Sequence, residues 1–168
     1  ERYLMIMPQA TRNPVKSLRN AVIYRIKQDT YLGALLTNTV LAAPVVYQES
    51  IENLKHFNCP AIGVFYPLDM PFGDTTFGID FKLMPNLFYI DVVVERPLFP
   101  DAQDAALDLA LSVVETLLPL GLSGMPGSDG VNTCEDFRFD RISEIGVNPF
   151  QTNIFQFAYR IFFIAKYY

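Results

Sequence analysis

Few residues in this 168-residue chain combine the side-chain type and the spacing that catalysis requires. The one histidine, His56, lies in a polar stretch ahead of Pro60. A catalytic imidazole needs a nucleophile or carboxylate beside it, and no local motif supplies one, so a surface or packing role is expected. Asp80 and Asp91 fall on two strand-like segments and could meet as a carboxylate pair for acid–base work. Carboxylates on the solvent face of a hairpin are the commoner arrangement. Cys59 and Cys134 form no CxxC or Cys/His ligand pattern and are expected as buried, reduced thiols. The segment from Gly121 to Gly130 lacks the Lys-Ser/Thr and the following helix of a phosphate-cradling loop, and reads as a mobile binding loop. Arg12, Lys16 and Arg19 share one helix flank and could touch phosphates, although a solvated or salt-bridged face is the plainer expectation. No catalytic, cofactor-binding or metal residue is therefore assigned, and the chain is expected not to be an enzyme.

The elements that would carry these residues follow from periodicity. Residues 1–13 read as an N-terminal arm. Asn13-Pro14 is a helix start, with Asn as cap and Pro tolerated in the first turn. Val15, Leu18, Val22 and Ile26 then recur at helical spacing. Tyr31 to Leu36 suits a short helix, Thr37-Asn38-Thr39 a loop, and Val45-Val46-Tyr47 a short strand. Ala61 to Tyr66 is an apolar run that stops at Pro67 and predicts a strand.

The clearest pattern is alternation. Phe77, Ile79, Phe81 and Leu83 alternate with polar residues, and after the Pro85-Asn86 turn so do Phe88, Ile90, Val92 and Val94. These runs, 76–83 and 87–95, predict a hairpin with one buried face. Pairing Leu83 with Phe88 sets Asp80 opposite Asp91. A slide of two residues sets Lys82 there instead, and the sequence leaves this register open.

Asp101 is read as the cap of a second long helix reaching about Leu118, with Asp104 in a partial capping-box position. Its polar residues Asp101, Asp104, Asp108, Ser112 and Glu115 form one narrow stripe. The apolar remainder is about twice the roughly 100° that a helix on a single sheet requires. The helix is thus expected to be buried on nearly all sides, its far side covered by the first helix or by another subunit. Residues 119–133 form a Gly/Pro-rich loop. Phe137 and Phe139 alternate into a further strand, and Phe155, Phe157, Tyr159, Ile161 and Phe163 into a long final one. The layout predicts a single α+β domain over 1–168: an antiparallel-rich mixed sheet with two main helices packed on it.

Composition narrows the function classes. Hydrophobic residues make up 51% and aromatics 14%, while charged residues reach only 18%. That balance argues against disorder and for more apolar surface than one domain hides, which favours self-association. A net charge of −5 does not attract nucleic acid as a whole. Apolar runs break too early to span a bilayer, so no membrane partner is expected.

With the layout in hand, the chain resembles the tail terminator proteins of tailed bacteriophages, also called tail-completion or neck ring proteins. The resemblance runs from about Pro14 to Tyr168. It rests on the early helix Val15 to Gln28, the segment Cys59-Pro60-Ala61-Ile62-Gly63-Val64, and the strand Tyr89-Ile90-Asp91-Val92-Val93-Val94-Glu95. The alanine- and leucine-rich helix and two closing strands complete it. It is a similarity of order and pattern, without a diagnostic motif. It implies a virion protein of the neck, assembled in the host cytoplasm: a hexameric ring on the last ring of the tail tube, contacting the tail tube protein and the head–tail connector proteins. DNA would pass through without sequence recognition, and no cofactor is implied. Two other functions fit the same residues: a different neck component such as a head–tail adaptor or stopper, or a small ligand-binding or enzymatic domain with Asp80, Asp91 or His56 in a pocket.

Overall fold

The structure, a computed structural model, describes residues 14–38, 43–44, 46–53, 59–66, 69, 85–118, 134–151 and 154–167. The first helix, α1, runs Pro14–Gln28. Its stripe Val15, Leu18, Val22 and Ile26 is buried together with Ala21 and Ile23, as the spacing predicts. Asp29 then ends one helix and starts the next. Its N–H donates to the Arg25 carbonyl at 3.1 Å, and its carboxylate accepts from the Leu32 N–H at 2.9 Å, capping α2 (Thr30–Leu36). Thr37–Asn38 (β1), expected as loop, pairs antiparallel with Ala43–Pro44 (β2). This two-residue ladder joins residues too few for periodicity to register.

The main sheet has five strands in the order β3-β4-β5-β7-β6. These are Val46–Tyr47 (β3), Ala61–Phe65 (β4), Asn86–Arg96 (β5), Cys134–Gln151 (β6) and Ile154–Tyr167 (β7). Among the described residues β3–β4 is parallel, and the other pairings of this sheet are antiparallel. The class is therefore α+β with a mostly antiparallel sheet, as expected.

One expectation fails at β5. From Tyr89 to Val93 this strand is hydrogen-bonded to β4 on one edge and to β7 on the other. Asp91 stands between Gly63 and Arg160. Neither Asp80 nor Lys82 can be its cross-strand neighbour, because both edges are taken. Segment 76–83 itself lies outside the described residues, as do the 1–13 arm and the 119–133 loop.

Helix α3 spans Phe99–Leu117 and starts earlier than Asp101. Its N-cap is Leu98, which makes no side-chain cap bond, and Pro100 sits in the first turn. Proline fits there because the first N–H groups of a helix have no intrahelical acceptor, so its missing donor costs nothing. Asp101 falls inside the first turn, where its charge suits the positive end of the helix dipole.

The helices and one sheet face enclose a single apolar cluster. It joins Leu18, Val22 and Ile26 of α1 and Ala106, Ala110 and Val113 of α3 to Ile62, Val64, Phe88, Ile90, Val92, Phe157, Ile161 and Phe163 of the strands. Phe137 and Phe163 stack with centroids 4.6 Å apart, and Phe88 meets Phe137 edge-on. Packed on β5, β7 and α1, α3 is not buried on nearly all sides: Leu107, Leu111 and Leu118 remain exposed.

Candidate functional site

The opposite sheet face carries the polar residues that matter most. At the Asp91↔Arg160 pairing of β5 and β7, Arg160 Nε donates to Asp91 Oδ1 at 2.8 Å and Nη2 donates to Oδ2 at 3.1 Å. Asp91 is fully buried, whereas the Arg160 side chain is 21% exposed. Alternation put these two side chains on the same face of neighbouring strands, and the register set them opposite each other.

A segment crossing this face completes the cluster. Ser50 Oγ donates to Asp91 Oδ2 at 3.0 Å, and the Ile51 N–H donates to the same oxygen at 3.2 Å. Arg160 Nη2 also donates to Ser50 Oγ and to Glu52 Oε2, both at 3.1 Å. The Glu52 N–H donates to Ser50 Oγ at 3.2 Å at the start of the 3₁₀ turn Ile51–Asn53. Crossing so closely requires Gly63 below. A Cβ built on Gly63 would lie 2.2 Å from the Glu49 carbonyl oxygen, closer than backbone atoms permit.

The arrangement is a latch that binds residues 49–52 to the sheet. Asp91 accepts four hydrogen bonds, three at Oδ2 and one at Oδ1, so its fully buried carboxylate is committed to the latch. Arg160 is held more firmly protonated than an ordinary guanidinium, first by its bond to Asp91, with burial opposing. Its guanidinium lies 5.1 Å from the Phe65 ring centroid and 5.4 Å from that of Tyr89. Phe65, Tyr89 and Phe162 form an aromatic row, tilted at Phe65–Tyr89 and edge-on at Tyr89–Phe162, with Arg141 over Phe162 at 4.0 Å.

Beside the latch, Ile51, Ala61 and Val93 form a small apolar cluster against Tyr47, Cys59 and Ala158. The Cys59–Pro60 peptide is cis. Burial pushes the Cys59 thiol up to about 12, with the charge of Glu95 and a hydrogen bond to it adding to the effect. A thiol so held is protonated at neutral pH and is not a nucleophile. Cys134 is buried in the main core, on the other side of the sheet, and neither cysteine forms a disulfide.

The remaining sequence candidates separate. His56, Asp80, Arg12 and the Gly121–Gly130 loop lie outside the described residues. Lys16 is exposed, but Arg19 is half-buried and lies over the Tyr66 ring at 5.4 Å, so the basic flank is not one open patch. Among the described residues no group of His, Cys, Asp or Glu converges to hold a metal ion. Also among them, no helix is long and apolar enough to cross a membrane. The Asp91–Arg160 pair went unread because its partners are 69 residues apart. The signal was present: one acid and one base, each flanked on its own strand face by apolar residues, Tyr89 and Val93 for Asp91, Ala158 and Phe162 for Arg160.

Asp104, Leu107, Asp108, Leu111, Glu115 and Leu118 are all exposed and recur at helical spacing, forming a mixed acidic and apolar stripe. No protein-family model matches the chain, and no curated protein matches it.

Proposed function

We propose that this protein acts through its surfaces as a structural, ring-forming virion component, without catalysing a reaction. More narrowly, it is a tail terminator of a tailed phage: a ring, hexameric by resemblance, that ends the tail tube and docks it to the head-completion complex while DNA passes through. The observation that carries the self-associating half of this reading is the α3 stripe. Leu111 is 47% exposed and Leu107 38%, on a helix whose opposite side fills the core. The tail half is supported by the order of elements, in which a long helix, strands, an alanine- and leucine-rich helix and two long closing strands follow the terminator pattern.

The test is a phage lacking this protein. Heads should form normally, and tails should fail to join them, with tubes of irregular length in electron micrographs. Normal tube length together with normal joining would overturn the reading. Regular tubes with failed joining would replace it with a head–tail adaptor.

A further inference from the structure

The exposed charges of the two long helices are segregated by sign. Helix α1 carries Lys16, Arg19, Arg25 and Lys27 and no acidic residue. Helix α3 carries Asp101, Asp104, Asp108 and Glu115 and no basic one. Each helix buries its apolar side in the shared core, and apart from the half-buried Arg19 these charged residues are exposed. None of the ion pairs among the described residues involves Arg25, Lys27, Asp104, Asp108 or Glu115.

Apolar groups accompany the charges on both surfaces. Leu107 and Leu111 sit among the α3 carboxylates. Tyr24 and Tyr31, each 62% exposed, flank Arg25 and Lys27 along α1 and the start of α2. An apolar surface of that kind favours contact, and a carboxylate row facing a basic row sets its orientation. Exposed ion pairs contribute little each, so the leucine and tyrosine side chains supply most of the affinity and the charges supply the choice of partner.

We infer that the acidic, leucine-bearing face of α3 in one copy of this chain docks on the basic, tyrosine-bearing face of α1 and α2 in the next. The occupant is a second copy because the chain itself provides both complementary faces. Two different faces on one molecule give a head-to-tail contact, which propagates from copy to copy and closes into a ring if the rotation allows. This deepens the ring reading above and rests on it for the expectation that the contact closes.

Charge reversal tests it. One variant carries Asp104→Lys, Asp108→Lys and Glu115→Lys; the other carries Arg25→Glu and Lys27→Glu. All five sites are exposed, and circular dichroism would check that both variants fold. In sedimentation at low salt and at the highest soluble concentration, wild type should associate and each variant alone should sediment as a monomer. An equimolar mixture should associate again, because each face then meets its opposite. Added salt should weaken wild-type association. A monomeric wild type, a variant that associates as wild type does, or a mixture that stays monomeric would each overturn the interface. A second measurement is independent of reversal: mixing Leu111→Cys chains with Tyr24→Cys chains should give a mixed cross-linked dimer with a short bismaleimide, and its absence counts against the contact. Failure here leaves the tail phenotype to be read on particles, whereas association with normal tails would retain the interface and remove the terminator role.

Discussion

Across four strands, the helix-covered face of the sheet reads Val64, Ile90, Ile161, Ile142, apolar throughout. One residue further along each strand, the opposite face reads Gly63, Asp91, Arg160, Ser143. The first row is held by apolar burial, which is non-directional and tolerates substitution at about the right volume. The second depends on geometry: a bidentate ion pair, a serine hydroxyl and a carbonyl passing over a glycine. The same backbone thus supports one face that absorbs small changes and one that does not.

The sharpest way to break this contrast is Asp91→Ala. It leaves the partly buried Arg160 with only Glu52 and Ser50, and breaking a buried pair costs up to about 3–5 kcal/mol. Ile161→Val on the helix-covered face removes one methylene and should cost only about 0.5–1.5 kcal/mol. Urea denaturation would compare them. A paired change, Asp91→Leu with Arg160→Met, should recover much of the loss, since buried ion pairs replaced by packed apolar groups are often neutral. If Asp91→Ala cost no more than Ile161→Val, the pair would be contributing as a surface bridge does, and the latch would not distinguish the two faces.

A smaller loss is expected from Gly63→Ala, which tests the close approach alone. The added methyl meets the Glu49 carbonyl and must displace the crossing segment, at a cost of about 1–3 kcal/mol typical of overpacking. The displacement has its own readout. The Ile51 and Glu52 amides, which donate to Asp91 and Ser50, should exchange with deuterium faster than in wild type. Unchanged exchange with unchanged stability would show that residues 49–52 are not pinned there.

How much of this was legible in the sequence divides along the same line. Local periodicity placed α1, β4, β5 and β7 and sorted Phe88, Ile90, Val92 and Val94 onto one face, because side-chain alternation is local. It misplaced the partner of β5. A turn at Pro85-Asn86 favours the nearest alternating run, yet the strand beside β5 begins at Ile154, and no local pattern encodes that distance. The start of α3 was missed because Asp101 looks like a cap, while Pro100 is equally at home inside the first turn. The latch joins Ser50, Gly63, Asp91 and Arg160 from separate segments. Its existence depends on register, which a single strand's pattern cannot supply.

The smallest expected effect concerns Cys59, at the margin of the second face, and it separates burial from charge. The thiol is pushed up from an ordinary value of 9.0 to about 12 in the folded chain, chiefly by burial and secondarily by Glu95. Below 9.0 it is protonated in both the folded and the unfolded chain, so its contribution does not change with pH. Between 9.0 and about 12 the unfolded chain releases a proton that the folded chain keeps, and stability falls as pH rises. The nine tyrosines and the lysines also ionise in this range, so the measurement is a difference. Denaturation midpoints of wild type and Cys59→Ala, followed from pH 8 to 11, should diverge, with wild type losing stability more steeply. Glu95→Gln should leave the divergence over this range nearly unchanged, because Glu95 acts only on the folded-state value and burial is the larger cause. Parallel curves for wild type and Cys59→Ala would mean that water reaches the thiol, and that the small cluster of Ile51, Ala61 and Val93 does not seal this end of the sheet.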